Sequence, residues 1–241
     1  MRFYSQNEVE HISRRVYTAY KKTAGYSEAP ERVIPEQLAD ILGLTFDYRH
    51  LSKDRLTLGL TSFEDGDGVE VFDSPDEEFY VLDGKTALIE EDLQSDDAML
   101  GRCNFTKTHE VCHHILHLLY PQEFGGGTAS RRILHYRLGG TQTGEVARHE
   151  RLVDIVTSAV LMPEELVRKN MFLFSLPERI DILNRLIANG DYQKFCAMAD
   201  CMGVSKQALA IRMKNLGLLG KDYLKNPYEM LNIYMEDNEL G

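Results

Sequence analysis

The chain has 241 residues, 43% of them apolar, enough for a packed core, which excludes global disorder. A formal net charge of −11 excludes a protein whose whole surface grips nucleic acid. Its four cysteines (103, 112, 196 and 201) form no CxxC pair, which points to a reduced intracellular chain rather than a disulfide framework.

The first twenty residues lack the apolar core of a signal peptide, and the longest apolar runs, such as 115–120, are too short to span a bilayer. The expectation is a soluble, cytoplasmic protein with no membrane contact. Val9, Ile12, Val16, Ala19 and Tyr20 recur at helical spacing over 7–24. A short helix should start at Pro35 and stop at Gly43. Strands follow at 44–48, 56–63 and 69–72. Residues 78–90 read as a hairpin, with two apolar runs flanking a type I′ turn signal at Asp83 and Gly84. Between Glu64 and Asp97, fourteen Asp and Glu stand against one Lys. This run is a solvated sheet edge or a surface that docks a basic partner.

From about residue 102 to 119 the pattern predicts a strong helix that ends before Pro121. Gly125, Gly126 and Gly127 lack the Lys and the helix start of a phosphate loop, so they read as a connector. A short strand over 133–138 precedes a second long helix, about 145–162, with Pro163 opening a new turn. Residues 177–188 and 191–216 are expected to be helical, interrupted at Gly203. The predicted fold is α+β, with a small antiparallel or mixed sheet and an all-helical C-terminal region. The expected division is a catalytic domain over 1–172 and a helical region over 173–241.

His109, Glu110 and His113 form an HExxH motif inside the predicted helix. Two histidines four residues apart share one helix face, so both imidazoles can reach one ion at about 2.0–2.1 Å. Glu110 sits where a general base could take a proton from a water on that ion. The helix flanks are apolar (Phe105, Val111, Ile115, Leu116), so the polar face is buried and needs partners. Catalytic zinc usually takes three protein ligands. Glu150, on the second long helix, is a candidate for the third. By spacing alone it is equally an acid placed at a helix N-terminus by the helix dipole. Asp154, one turn on, could accept the other ring N–H of a ligand histidine.

Arg102, Phe105, Thr106, His109, Glu110 and His113, followed by Glu150 and by Leu161, Met162 and Pro163, resemble the ImmA/IrrE family of metallo-endopeptidases. That family shows an Arg-Phe-Thr-x-x-His-Glu-x-x-His-like run, then a helix that begins at a Glu and ends in Leu-Met-Pro. The likeness covers roughly residues 30–170. It implies a zincin-like fold, a Zn2+ ion held by His109, His113 and Glu150, and cleavage of a repressor or regulator protein. Two positions depart from the family: Cys112 stands where Gly is usual, and Asn104 where Arg is usual.

Other residues bear on the same site. His117 lies one turn past His113, too far along the helix for a single ion, and reads as a supporting or core histidine. His114 points elsewhere. His135, Tyr136 and His149 are candidates for stabilising the oxyanion of a tetrahedral intermediate, with no basis for choosing among them. Cys112 reads as a buried thiol. In the tail, Met202, Gly203 and the capping residue Ser205 match a helix-turn-helix whose second helix carries Lys206, Gln207, Arg212 and Lys214. That tail either binds DNA or is a helical hairpin that packs on the catalytic part or docks substrate; the second is preferred. Two functional readings follow: a zinc endopeptidase acting on a regulator, or a DNA-binding regulator whose metal site is a sensor or a relic.

Overall fold

A computed structural model describes residues 4–25, 30–73, 78–95, 97–124, 133–137 and 144–229. The first helix, α1 (Gln6–Thr23), starts at a capping box in which Ser5 and Glu8 satisfy each other's backbone N–H groups. Helix α2 (Pro35–Leu42) begins with its proline and ends at Gly43, whose φ of 67° is the left-handed stop. Strands β1 (Thr45–Arg49), β2 (Thr57–Ser62), β3 (Asp65–Val71), β4 (Glu78–Asp83) and β5 (Thr86–Glu90) follow. Two short 3₁₀ turns lead into α3 (Leu100–Leu119), then α4 (Pro121–Phe124), β6 (Ile133–Arg137), α5 (Gly144–Leu161) and α6 (Glu164–Leu173). The chain continues through β7 (Ile180–Leu183), α7 (Asn189–Met202), α8 (Lys206–Asn215) and β8 (Leu219–Asp222). The architecture is α+β.

The four-stranded sheet has the order β1-β5-β2-β6. Strand β5 runs parallel to β1 and antiparallel to β2, and β6 is antiparallel to β2. Helix α3 covers one face, where Leu58 and Ile89 pack with Cys103 and the Thr61 hydroxyl lies 2.8 Å from His114 Nε2. The β3–β4 pair covers the other: Val69, Val71 and Leu82 pack on Leu60 and Leu88. Alternation along the strands produces the split, since Leu88 and Ile89 are neighbours facing opposite ways.

The hairpin expected over residues 78–90 is a correction. Asp83 and Gly84 do form a tight turn: the Asp83 carboxylate accepts from the Lys85 and Thr86 N–H groups, and Gly84 has φ 68°. The two strands it joins enter different sheets, β4 pairing with β3 and β5 with β1 and β2. Burial decides this outcome. Ala87, Leu88, Ile89 and Glu90 are all buried, which requires a central strand covered on both faces, whereas β4 exposes every second residue.

The expected helix over 177–188 is a second correction, and the C-terminal region is therefore not all-helical. Ile180–Leu183 forms β7, which pairs parallel with β8. Ile180 and Ile182 alternate with an exposed Asp181, a period of two that a short window does not separate from a helix. Gly220 permits the pairing, because a Cβ there would stand 2.5 Å from the Asp181 carbonyl oxygen.

The largest apolar cluster joins α1, α2, α3, α5, α6, α7 and α8, from Val9 to Leu219. The turn between α7 and α8 follows helix-turn-helix chemistry: Gly203 has φ 64°, and the Ser205 hydroxyl accepts from the Ala208 N–H. This turn is seated against the start of α3. The Asn104 amide donates to the Gly203 carbonyl at 2.8 Å, and Gly101 leaves room for the Ser205 backbone. Of the side chains expected on the outer face of α8, Arg212 is buried. It holds Glu10 of α1 with both guanidinium N–H groups and donates to the Met162 carbonyl. Lys214 pairs with Asp222, leaving Lys206 and Gln207 exposed. Among the described residues, no helix is long and apolar enough to cross a membrane.

Candidate metal centre

The site lies where α3 and α5 pack together. Turn spacing on α3 stacks His109 over His113, with Nε2 atoms 3.1 Å apart. Glu150 on α5 brings Oε2 to 3.1 Å from His109 Nε2 and 3.6 Å from His113 Nε2. A tetrahedral ion with bonds of about 2.05 Å has ligand atoms about 3.3 Å apart, so the three observed separations bracket the spacing of zinc ligands. Both histidines are fully buried and Glu150 is partly buried. The group can hold a metal ion, and its two-nitrogen, one-oxygen chemistry fits a borderline divalent cation.

Neighbouring side chains fix these three residues from behind. Asp154, one turn along α5, lies 3.1 Å from His109 Nδ1 and accepts its N–H, leaving Nε2 as the inward atom. His149 Nε2 lies 3.4 Å from His113 Nδ1, and its ring stacks on His113 and meets Phe124 edge to face. His149 thus stands behind a ligand histidine.

Glu110 is the most unusual group. Its side chain is fully buried, and among the described residues neither carboxylate oxygen has a hydrogen-bond partner. The space it occupies exists because β2 carries a glycine opposite. A Cβ on Gly59 would lie 2.2 Å from Glu110 Oε1 and 3.0 Å from Thr106 Cγ2. Tyr136 pairs in register with Gly59, and His135 with Leu60, so β6 runs beside this point.

Charges divide unevenly over the cluster. Burial alone would lower the His109 pKa, but hydrogen bonds to Asp154 and Glu150 outweigh it and lift the value to about 9. Burial pushes His113 down to about 4, and the neighbouring His109 charge adds to the effect. Two imidazoles in contact disfavour a double charge, so the positive charge of the pair is favoured on His109. Burial would raise Glu150, yet both histidines hold it well below the usual carboxylate range. Burial pushes Glu110 up to about 8, against the pull of His109.

No family model matches this chain, and no curated protein does either. The likeness to ImmA/IrrE metallopeptidases therefore rests on the residues themselves.

The remaining predicted residues fall around the site. His117 is outside the ligand group and stacks on Phe63, with ring centroids 4.2 Å apart. His114 bonds Thr61 and is held neutral by burial, its pKa down to about 4. Cys112 is buried, its thiol pushed up to about 12 by burial, so it is not a nucleophile. The glycines at 125–127 lie outside the described residues. Gly59 was not anticipated: nothing local marks it, and only its distance from Glu110 reveals it. His149 carried a local signal, since it sits beside Glu150 one position out of phase with the ligand face.

Proposed function

We propose that this chain is a zinc-dependent endopeptidase acting on a protein substrate, with a repressor or regulator as its target. The observation that carries this reading is Glu110. A carboxylate buried without any partner is costly to maintain. Here it stands next to a three-ligand group, in room left by a missing side chain at Gly59. Such a group fits a proton acceptor awaiting a substrate.

His109 and His113 would bind the ion through Nε2, and Glu150 through Oε2. When bound, zinc supplies a Lewis acid that polarises a peptide carbonyl and makes a water in its open position more acidic. Asp154 keeps His109 in the tautomer whose Nε2 lone pair faces inward. His149 and Phe124 confine the His113 ring. Glu110 accepts the proton of the attacking water on one carboxylate oxygen and then delivers it to the departing amide nitrogen. Burial keeps bulk water from exchanging that proton, and the positive charge of a bound ion would favour the ionised form of Glu110 that accepts it.

A peptide substrate, rather than a small amide, is supported by the sheet. Strand β6 is the outer strand beside the site, paired with β2 alone among the described residues. An open edge next to a reactive centre suits an extended backbone. The alternative of a DNA-binding regulator loses support at α8, where Arg212 and Lys214 are consumed by internal pairs.

The test is Glu110→Gln in the zinc-loaded chain, incubated with a panel of purified repressor proteins and read by mass spectrometry. The expected result is a defined fragment with the native chain, and with the variant full zinc content but at least a hundredfold less fragment. A variant that cuts as well as the native chain would remove Glu110 from the chemistry.

A further inference from the structure

We propose that the outer face of the β3–β4 hairpin is a docking surface for a basic polypeptide segment carrying aliphatic side chains. The inner face of this hairpin is packed on the central sheet through Val69, Val71 and Leu82. The outer face carries Phe79 and Val81, 71% and 64% exposed. Residues 79 and 81 lie on one side of β4, opposite Glu70 and Gly68 of β3. Gly68 places no side chain beside the Phe79 ring, where a Cβ would stand in ordinary contact with Cδ1 at 3.7 Å. The result is an apolar pair with no protein layer above it among the described residues.

Charge selects the occupant. Glu70 stands directly opposite Phe79 and is exposed, and Glu78 and Asp83 are exposed at the two ends of β4, within the run of fourteen acids and one lysine between Glu64 and Asp97. This sign repels nucleic acid and anionic lipid. A second copy of the chain would bring its own net charge of −11, and two of the cations on its basic tail, Arg212 and Lys214, are already paired internally. A lysine- or arginine-rich segment matches the rim, and its aliphatic side chains cover Phe79 and Val81. Among the described residues, β3 and β4 each leave one edge unpaired, so such a segment can add as a third strand. The surface lies across the central sheet from α3, so occupancy there does not obstruct the metal centre.

The test uses the full chain and a short fluorescein-labelled peptide of alternating lysine and valine, followed by fluorescence anisotropy. The Glu110→Gln background prevents consumption of the peptide. Saturable binding that weakens steeply with added salt is expected, and a glutamate–valine peptide should not bind. Replacing both Phe79→Ser and Val81→Thr should weaken binding at least roughly tenfold, the loss of one anchoring side chain or more. The melting temperature should hold, because both side chains are exposed. Unchanged affinity in the double variant, equal binding of the acidic peptide, or no saturable binding would overturn the proposal. So would a self-association, seen by sedimentation, that the double variant abolishes.

Discussion

Proton and metal compete for the same nitrogen at His109. Its pKa of about 9 means that Nε2 is protonated at neutral pH when no ion is present, while His113, at about 4, is already free to bind. Ligation requires the neutral ring, so metal uptake at pH 7 should expel at least one proton. Affinity should then rise about tenfold per pH unit up to roughly pH 9, because the raised pKa makes the proton the stronger competitor at lower pH. Calorimetry in buffers of different ionisation enthalpy measures the proton count, and a count of zero would contradict the charge distribution. Asp154→Asn should lower metal affinity by about 10–100-fold, since the amide can present an N–H to Nδ1 and favour the wrong tautomer. Gly59→Ala should cost about 1–3 kcal/mol of stability, by the crowding of Glu110. In an Glu110→Ala background that cost should largely vanish, and additive denaturation energies would show that the two residues do not press on each other. Helical periodicity made two shared faces legible in the sequence, His109 with His113 and Glu150 with Asp154, but spacing alone left Glu150 evenly balanced, and only the resemblance joined the two pairs. Gly59 was not legible, because its role depends on a contact between a strand and a helix far apart in the chain.

At the scale of elements, local signals fared well wherever the local chain decides the outcome. The stop at Gly43, the cap at Ser205 and the two long helices follow from residues within one turn of them. Pairing partners were harder to read. Asp83 and Gly84 specify a turn, but which strands meet depends on the burial of β5, and that is set by β1 and β2 elsewhere. The region 177–188 shows the same limit, since β7 finds its partner beyond two intervening helices. The seating of α8 on α1 is another long-range feature. Arg212→Met removes a buried cation from Glu10 and should cost about 2–4 kcal/mol, measured by chemical denaturation. Adding Glu10→Gln should restore part of that loss, because the unpaired carboxylate is then gone. If Arg212→Met unfolded at the native midpoint, α8 would not depend on this pair.

Across the whole molecule, the candidate ion would cross-link α3, the central helix against the sheet, to α5, which packs on α1 and α3. Bound metal stabilises the folded state by mass action, by about 2.7 kcal/mol at one hundred times its dissociation constant. Chelation should therefore lower the melting temperature by about 5–10 °C for a chain of this size. A melting curve indifferent to chelator would mean that the two helices hold together without an ion. Through the same site, X-ray absorption at the zinc edge of the zinc-loaded chain tests the central claim most directly. The expected spectrum shows four ligands at about 2.0–2.1 Å, two of them imidazole nitrogens, with the ordered shell lost in Glu150→Ala. A shell of six oxygens, or a spectrum unchanged when His109, His113 and Glu150 are replaced, would place the ion elsewhere and contradict the assignment.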